Sequence, residues 1–499
     1  MEHSSSFTTV QLKGIAVLAF VPMDPQKMSF NSSSYLSLLS LYLLLLLVSL
    51  PTPAFSGETV NYLPGYDGEL PFYLETGYIS VNDSELFYYF IESQGNPEED
   101  PLFLWLTGGP GCSSFSGIIY EVGPIEFDIE NYTGGLPKLR DYKYAWTKTA
   151  SFIFLDAPVG TGYSYSTTQE GWYTSDSKSA EQSYQFLIKW LIKHPKYLNL
   201  QLFIGGDSYS GITVPLVTQK IIENNMAPAS YPRMNLKGYL LGSPTTDAVL
   251  NSNAKIEFAH RLALISDELN ESLKTSCNGS YVNVDPSNAD CVAALAEYDK
   301  CIADIWTNSI IEPNCVFASP KMNLDIPRRS LEQHQDNFIL SPLRIPDFWC
   351  RAFNYTLAYK WANDVAVRDA LHVRPGTVDN WLRCNLTLSY TKDVQSVIDV
   401  HRYLSNYGLL VLVQSGDRDM VVPFTGTQTW IKSLNLTINF DWRPWFVDGQ
   451  VAGYNLQYEK NDLFWMTYAT VKGAGHTAPE YYRRECFEMF KRWVHYYPL

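Results

Sequence analysis

The chain is short of positive charge: 37 lysine and arginine residues stand against 52 aspartate and glutamate, a net charge of −15 at pH 7. A polyanionic partner is therefore excluded, since nucleic acid binding needs a basic footprint. The same balance suits an acidic compartment. Cysteines are few and never form C-x-x-C, which excludes zinc ribbons and dithiol redox motifs. Long apolar runs are absent apart from Leu36 to Leu50, which is short for a membrane span and is followed by Pro51 and Pro53. No internal repeat and no low-complexity tract occurs outside that region.

The apolar run ends in Ala54-Phe55-Ser56, with small residues where a signal peptidase needs them. Residues 1–56 are read as a prefix and cleaved secretory signal, and Met28 would place the run at the usual distance from a start. After cleavage no membrane span remains. Five of the eight cysteines fall between Cys277 and Cys350. Cys277 to Cys291 and Cys301 to Cys315 share one spacing, which suggests two local disulfide loops in an oxidising compartment. N-x-S/T acceptors at Asn82, Asn131, Asn270, Asn278, Asn354, Asn385 and Asn435 predict a glycosylated surface.

Leu102 to Leu106, Ser151 to Leu155, Leu200 to Ile204, Met234 to Leu241 and Leu409 to Val413 are apolar runs that stop at glycine- or serine-rich loops. They read as buried strands. Ser177 to Lys193 is an amphipathic helix candidate, and Pro479 to His495 a closing one. Strands alternating with helices predict a mostly parallel α/β sheet covered on both faces. The pattern changes over 248–347, read as a helical, disulfide-containing cap insertion between core segments 57–247 and 348–499. Within it, 319–345 carries Arg328-Arg329 and reads as an exposed linker open to nicking.

Gly206-Asp207-Ser208-Tyr209-Ser210-Gly211 lies between a strand and a helix interrupted near its start by Pro215. Strand, glycine-flanked serine, helix is the layout of a nucleophile elbow. Gly416-Asp417-Arg418-Asp419 and Gly473-Ala474-Gly475-His476 follow later strands. Serine, acid, histidine is the chain order of α/β-hydrolases. A serine hydroxyl becomes a nucleophile when an imidazole takes its proton, and a carboxylate fixes the imidazole tautomer. Ser208 and His476 are the candidates, with Asp417 and Asp419 equally placed as the acid. The loop Gly108 to Gly111 offers bare N–H groups, and no G-K-[ST] follows that would make it a phosphate cradle. The N–H groups of Gly109 and Tyr209 are assigned to an oxyanion hole.

Trp105 to Ser114, Asp156 to Tyr165, Gly206 to Gly211, Gly416 to Pro423 and Gly473 to Pro479 together resemble a plant serine carboxypeptidase-like protein, over about Tyr62 to His495. The resemblance implies an α/β-hydrolase fold, Asp419 as the acid, and a long-range disulfide from Cys112 to Cys350, with Cys384 and Cys486 left as free thiols. Peptidases of the family hold a substrate carboxylate with an Asn before the double glycine and two Glu. Here Thr107, next to Gly108, stands for the Asn, Asp207 for one Glu, and Glu121 for the other. Thr lacks amide donors, and Asp is one methylene shorter. Gly-Asp-Ser-Tyr-Ser-Gly and Thr-Gly-Gly-Pro-Gly resemble the acyltransferase branch. That branch implies transfer of a hydroxycinnamoyl or benzoyl group from a 1-O-β-glucose ester to an alcohol or amine. No cofactor, metal or nucleic acid is implied, and the location implied is the secretory pathway, vacuolar or extracellular. A carboxypeptidase working at acid pH and a non-catalytic binder on the same fold are the competing readings.

Overall fold

Phe103, Phe152 and Phe203 come from three separate apolar runs, and their rings stack with centroids 5.0 Å apart for each neighbouring pair. That ladder requires the three runs to lie side by side in register. In the computed structural model, which describes residues 57–228, 231–314 and 351–499, they are adjacent strands.

The main sheet has twelve strands. They are β1 (Gly57–Thr59), β2 (Leu74–Val81), β3 (Ser84–Ile91), β4 (Leu102–Leu106), β5 (Ser151–Leu155), β6 (Tyr165–Ser166), β7 (Leu202–Asp207), β8 (Leu236–Gly242), β9 (Leu410–Gly416), β10 (Thr437–Val447), β11 (Gln450–Lys460) and β12 (Phe464–Val471). The order is β1-β2-β3-β5-β4-β7-β8-β9-β12-β11-β10, with β6 on β3. From β5 through β12 along this order every pair is parallel. Antiparallel hairpins close both edges. Successive side chains of a strand face opposite sides. Phe103 and Trp105 join one core with Phe490 and Trp493, while Leu102, Leu104 and Leu106 join the other with Leu187 and Trp190. A strand buried on both faces must be apolar at every position, which is why β4 and β5 read as unbroken runs.

Helices α1 (Asp176–Lys193), α2 (Ser210–Met226), α3 (Ala248–Arg261), α4 (Asp267–Cys277), α5 (Ala289–Ile302), α6 (Ala352–Ala362), α7 (Phe424–Ser433), α8 (Ala478–Tyr481) and α9 (Arg483–Val494) cover the sheet or form the insertion. Side-chain oxygens of Ser175, Asp247 and Ser266 cap α1, α3 and α4. Two expectations need correction. Pro215 does not interrupt the helix, which runs through it from Ser210 to Met226. The closing helix is divided at Tyr482 into α8 and α9. The β10–β11 hairpin has no clear sequence signal. Ile438, Phe440 and Trp442 are exposed there, and Arg443 and Pro444 break the alternation of this edge strand.

The insertion helices α3 to α5 pack around Phe258, Leu273, Tyr298 and Met420. Cys277 at the end of α4 is bonded to Cys291 in α5, as its spacing suggested. Cys301 is exposed, and its expected partner Cys315 lies outside the described residues, as do Cys350, Arg328 and Arg329. The described residues from Gly57 onward form one compact unit. Among the described residues no helix is long and apolar enough to cross a membrane.

The long-range disulfide is corrected: Cys112 is bonded to Cys384, so Cys384 is no free thiol. The backbone explains the choice. Ser113 N–H donates to Arg383 O at 2.7 Å and Asn385 N–H to Gly111 O at 2.8 Å, so the two cysteines face each other across a short antiparallel bridge. Cys486 is a buried free thiol. Two glycosylation sites are also corrected. Asn270 and Asn354 are only 2% and 4% exposed, which leaves no room for a glycan on either amide. Asn82, Asn131, Asn278 and Asn435 are exposed. Asn385 is half-buried and donates its Nδ2 to Gly160 O at 3.0 Å.

Candidate active site

Ser208 follows β7 and precedes α2 with a φ of +55°, a left-handed conformation a serine adopts only under constraint. The constraint is visible on both sides. Ser208 N–H donates to Gly242 O at 2.7 Å, and its own carbonyl accepts from Thr245 N–H at 2.9 Å. A Cβ on Gly206 would collide with Leu106 O, and one on Gly211 with Thr245 O. The flanking glycines let strand, helix and neighbouring loops close on the serine.

His476 Nε2 lies 2.7 Å from Ser208 Oγ, and its Nδ1 lies 2.8 Å from Asp419 Oδ2. The second oxygen of Asp419 accepts from the Val421 and Val422 N–H groups, so the carboxylate is held at both ends. Asp417, equally placed in the sequence, instead accepts from Gly473 N–H at 2.7 Å and ties the two loops together. Burial disfavours the imidazolium, but Asp419, Asp207 and Glu480 outweigh it and hold the His476 pKa above its ordinary value. A histidine so placed readily accepts a serine proton.

The glycine loop sits against the nucleophile. A Cβ on Gly108 would be 2.7 Å from both Ser208 Cβ and Tyr209 N, so only glycine permits the approach. Asp156, fully buried, fastens this loop by accepting from Ser113 Oγ and Ser114 N–H. Among the described residues, no hydrogen bond engages the N–H of Gly109 or Tyr209, which leaves both free for an oxyanion. Tyr209 OH donates to the buried carboxylate of Asp176 at 2.9 Å, anchoring the ring to α1.

Asp207 and Glu121 are both buried, and they meet a third acid that the sequence did not single out, Glu480. Asp207 Oδ1 accepts from Gly108 N–H at 3.3 Å, and burial raises its pKa to about 6. Burial, then the charges of Asp207 and Glu480, push Glu121 well above the ordinary carboxylate range, and its Oε2 has no hydrogen-bond partner among the described residues. Thr107 Oγ1 is buried and likewise has no partner among the described residues. Arg383, also unforeseen, lies over the Tyr355 ring at 3.8 Å and counters the charge of all three acids. Only its position before Cys384 hints at this, and only once the correct disulfide is known. Glu480 lies four residues after His476, a proximity the sequence does display.

A further unforeseen element is the segment before Ile310. Asn308 O accepts from His476 N–H at 2.7 Å, and Thr307 O accepts from Met420 N–H at 2.9 Å. One stretch of the insertion thus fastens the acid and histidine loops together.

The raised Glu121 pKa has a stability consequence. The folded state holds this proton more tightly than the unfolded chain, so its stabilising effect is present near pH 4 and is lost as pH rises through the raised value. Glu121→Gln mimics the protonated form. It is expected to leave the Tm at pH 4 unchanged and to raise it at pH 7. Thermal melts at the two pH values check this; equal shifts at both would contradict it.

The serine carboxypeptidase sequence profile matches residues 64–496. "Serine carboxypeptidase-like 17" of Arabidopsis thaliana is 46% identical over 93% of this chain and 99% of its own length. "Serine carboxypeptidase-like 7" of the same plant is 45% identical over 92% and 98%. Among solved structures, Kex1Δp, a prohormone-processing carboxypeptidase of Saccharomyces cerevisiae, superposes with a TM-score of 0.65 at 19% identity, covering 88% of this chain and 95% of that one. That likeness identifies the α/β-hydrolase fold.

Proposed function

The chain belongs to the serine carboxypeptidase family, and from that premise we propose that it is an acyltransferase working through an acyl-serine. Its donor is a 1-O-β-glucose ester of a hydroxycinnamoyl or benzoyl acid, and its acceptor an alcohol or amine. The observation that carries this is the polar surround of Ser208. Three carboxyl groups, Asp207, Glu121 and Glu480, meet there, and the amide that would greet a substrate carboxylate is replaced by Thr107. Carboxyl oxygens accept from hydroxyls, so a sugar finds partners where a substrate carboxylate would meet repulsion.

Ser208 Oγ attacks the ester carbonyl while His476 Nε2 takes its proton. The tetrahedral oxyanion is held by the Gly109 and Tyr209 N–H groups. The bond to the glucose oxygen breaks, and that oxygen leaves with the proton from His476. The acceptor O–H or N–H then gives its proton to His476 and attacks the acyl-serine. The new ester or amide bond forms as the serine C–O bond breaks, and Ser208 recovers the proton. The glucose ester supplies the free energy, so no step calls for a cofactor. Two disulfides are consistent with a secretory location, for which the vacuole lumen is our proposal.

One observation favours the peptidase alternative. At acid pH the raised pKa values of Asp207 and Glu121 would keep protons on them, and with Arg383 they would offer donors to a terminal carboxylate. Incubation with sinapoyl-glucose plus a panel of alcohols, and separately with a blocked dipeptide, divides the two. Free glucose with a new ester is the expected result. Release of amino acid from the peptide without acyl transfer would overturn the proposal. A Ser208 unreactive toward a fluorophosphonate in folded protein would favour a non-catalytic binder.

A further inference from the structure

Asp176 is fully buried, yet it takes part in no bond change of the proposed reaction. It opens α1, where the free N–H groups of the first turn favour a negative charge. Its Oδ1 accepts from Tyr209 OH at 2.9 Å and from Tyr390 OH at 2.7 Å, and its Oδ2 accepts from Val394 N–H at 3.0 Å. Both oxygens are thus engaged, by groups from distant parts of the chain. The Tyr209 and Tyr390 rings meet edge to face, with centroids 6.2 Å apart. A buried carboxylate is costly unless its hydrogen bonds are met, so a group held this way keeps its donors in one arrangement.

Tyr390 and Val394 belong to the segment that follows the long-range disulfide. At the start of this segment Cys384 is bonded to Cys112, and Asn385 N–H donates to Gly111 O at 2.8 Å, beside the loop of Gly109. Farther on, Tyr390 pairs in parallel with Thr174, and Asp393 accepts from Ser177 N–H at 3.1 Å, on either side of Asp176. The stretch 384–394 therefore bears on the loop of one oxyanion donor directly and on the other, Tyr209, through Asp176. A planar trans peptide points its N–H opposite its carbonyl. Ser208 O accepts from Gly211 N–H at 3.0 Å and from Thr245 N–H at 2.9 Å, which sets the direction of the Tyr209 N–H. Direction alone does not place a donor. The other end of that peptide is the Tyr209 α-carbon, whose side chain is tied through its hydroxyl to Asp176.

We propose that Asp176 is a positioning residue for the oxyanion hole: it ties the Tyr209 side chain, and with it the N–H that meets the tetrahedral oxygen, to the same segment that holds the Gly109 loop. The inference rests on the assignment of Ser208 and of the two N–H donors, and it holds for any acyl group. A displacement of about 1 Å at a catalytic group costs on the order of a hundredfold in rate. The donors act on charge that develops only in the transition state, so loosening one lowers turnover and leaves ground-state binding alone.

The probe is a fluorophosphonate, applied to the full chain. Ser208 Oγ bonds to phosphorus, the P–F bond breaks and fluoride leaves, His476 takes the serine proton, and the phosphoryl oxygen enters the oxyanion hole. The limiting labelling rate is expected to fall about tenfold or more in Tyr209→Phe and in Asp176→Asn. The half-saturating reagent concentration and the pH midpoint of labelling, which report binding and His476, are expected to stay at the parent values. The double variant is the decisive arm. With the Tyr209 hydroxyl gone, Asp176 has lost its route to the hole, so the double variant is expected to fall well short of the product of the two single effects. Effects that multiply in full, or rates within about twofold of the parent in both single variants, would overturn the role. Tyr390→Phe takes the place of Asp176→Asn in the cycle should the latter fail to fold. A parent Ser208 that never labels would overturn the nucleophile and this role together.

Discussion

Ser208→Ala is expected to lower acyl transfer on the order of 10⁵- to 10⁶-fold, with the Tm and the donor KM little changed. The reason is that every bond change passes through one oxygen. His476 Nε2 is 2.7 Å from that oxygen and has no other hydroxyl partner among the described residues. What survives in the variant is binding and the two N–H groups of the oxyanion hole, worth about 10³-fold over water in comparable sites. Asp419→Asn should cost less, about 10⁴-fold, because it loses the tautomer that the 2.8 Å contact to Nδ1 fixes but keeps the nucleophile. Steady-state kinetics on the purified variants provide the measurement. An alanine variant retaining more than about 1% of turnover would remove Ser208 from the chemistry.

The second large effect is expected from the Cys112–Cys384 bond. It closes a separation of 272 residues, and a loop of that length corresponds to roughly 5 kcal/mol of denatured-state entropy in the chain-entropy account. Replacing both cysteines by serine is expected to lower stability by about that amount at most. It should also lower kcat on the order of a hundredfold in protein that is still folded. The second effect has a separate cause. Cys112 ends the loop that carries Gly109, and the bridge to the 383–385 segment fixes that loop together with Arg383, which lies over the Tyr355 ring and counters the charge of the acids. Denaturant titration and single-turnover kinetics separate the two effects. An unchanged kcat in folded double variant would show that Asp156 alone positions the glycine loop. Stability equal to the parent would show that the bond adds nothing to the hydrogen-bonded bridge.

Much of the fold is legible in the sequence because its central strands are buried on both faces. β4 and β5 can be delimited to the residue, since a doubly covered strand leaves no polar position to blur its ends. The β10–β11 hairpin cannot, because an exposed edge strand is free of that pressure. Ser208 and His476 are legible for a related reason. Each sits in a glycine-flanked loop at a strand end, and the glycines of these loops answer to close backbone approaches. A Cβ on Gly416, for example, would collide with Gly475 O, directly before the histidine. Sequence thus records the chemistry and the tight turns, which are local demands on single residues.

Partners across space are another matter. The disulfide pairing depends on which backbone runs beside Cys112, and the family resemblance pointed to Cys350 where the bridge selects Cys384. The choice between Asp417 and Asp419 depends on the direction each carboxylate takes from one tight loop. Burial cancels Asn270 and Asn354 as glycan acceptors although their sequons are intact. Arg383 and Glu480 become part of the site through packing alone. The sequence by itself determined the central strands of the sheet, the elbow and the reactive side chains, because strand burial and backbone turns constrain residues near one another in the chain. Only the tertiary structure decided which acids, cations and thiols meet, because charge and covalent pairing depend on distances that the folded backbone sets between residues far apart in sequence.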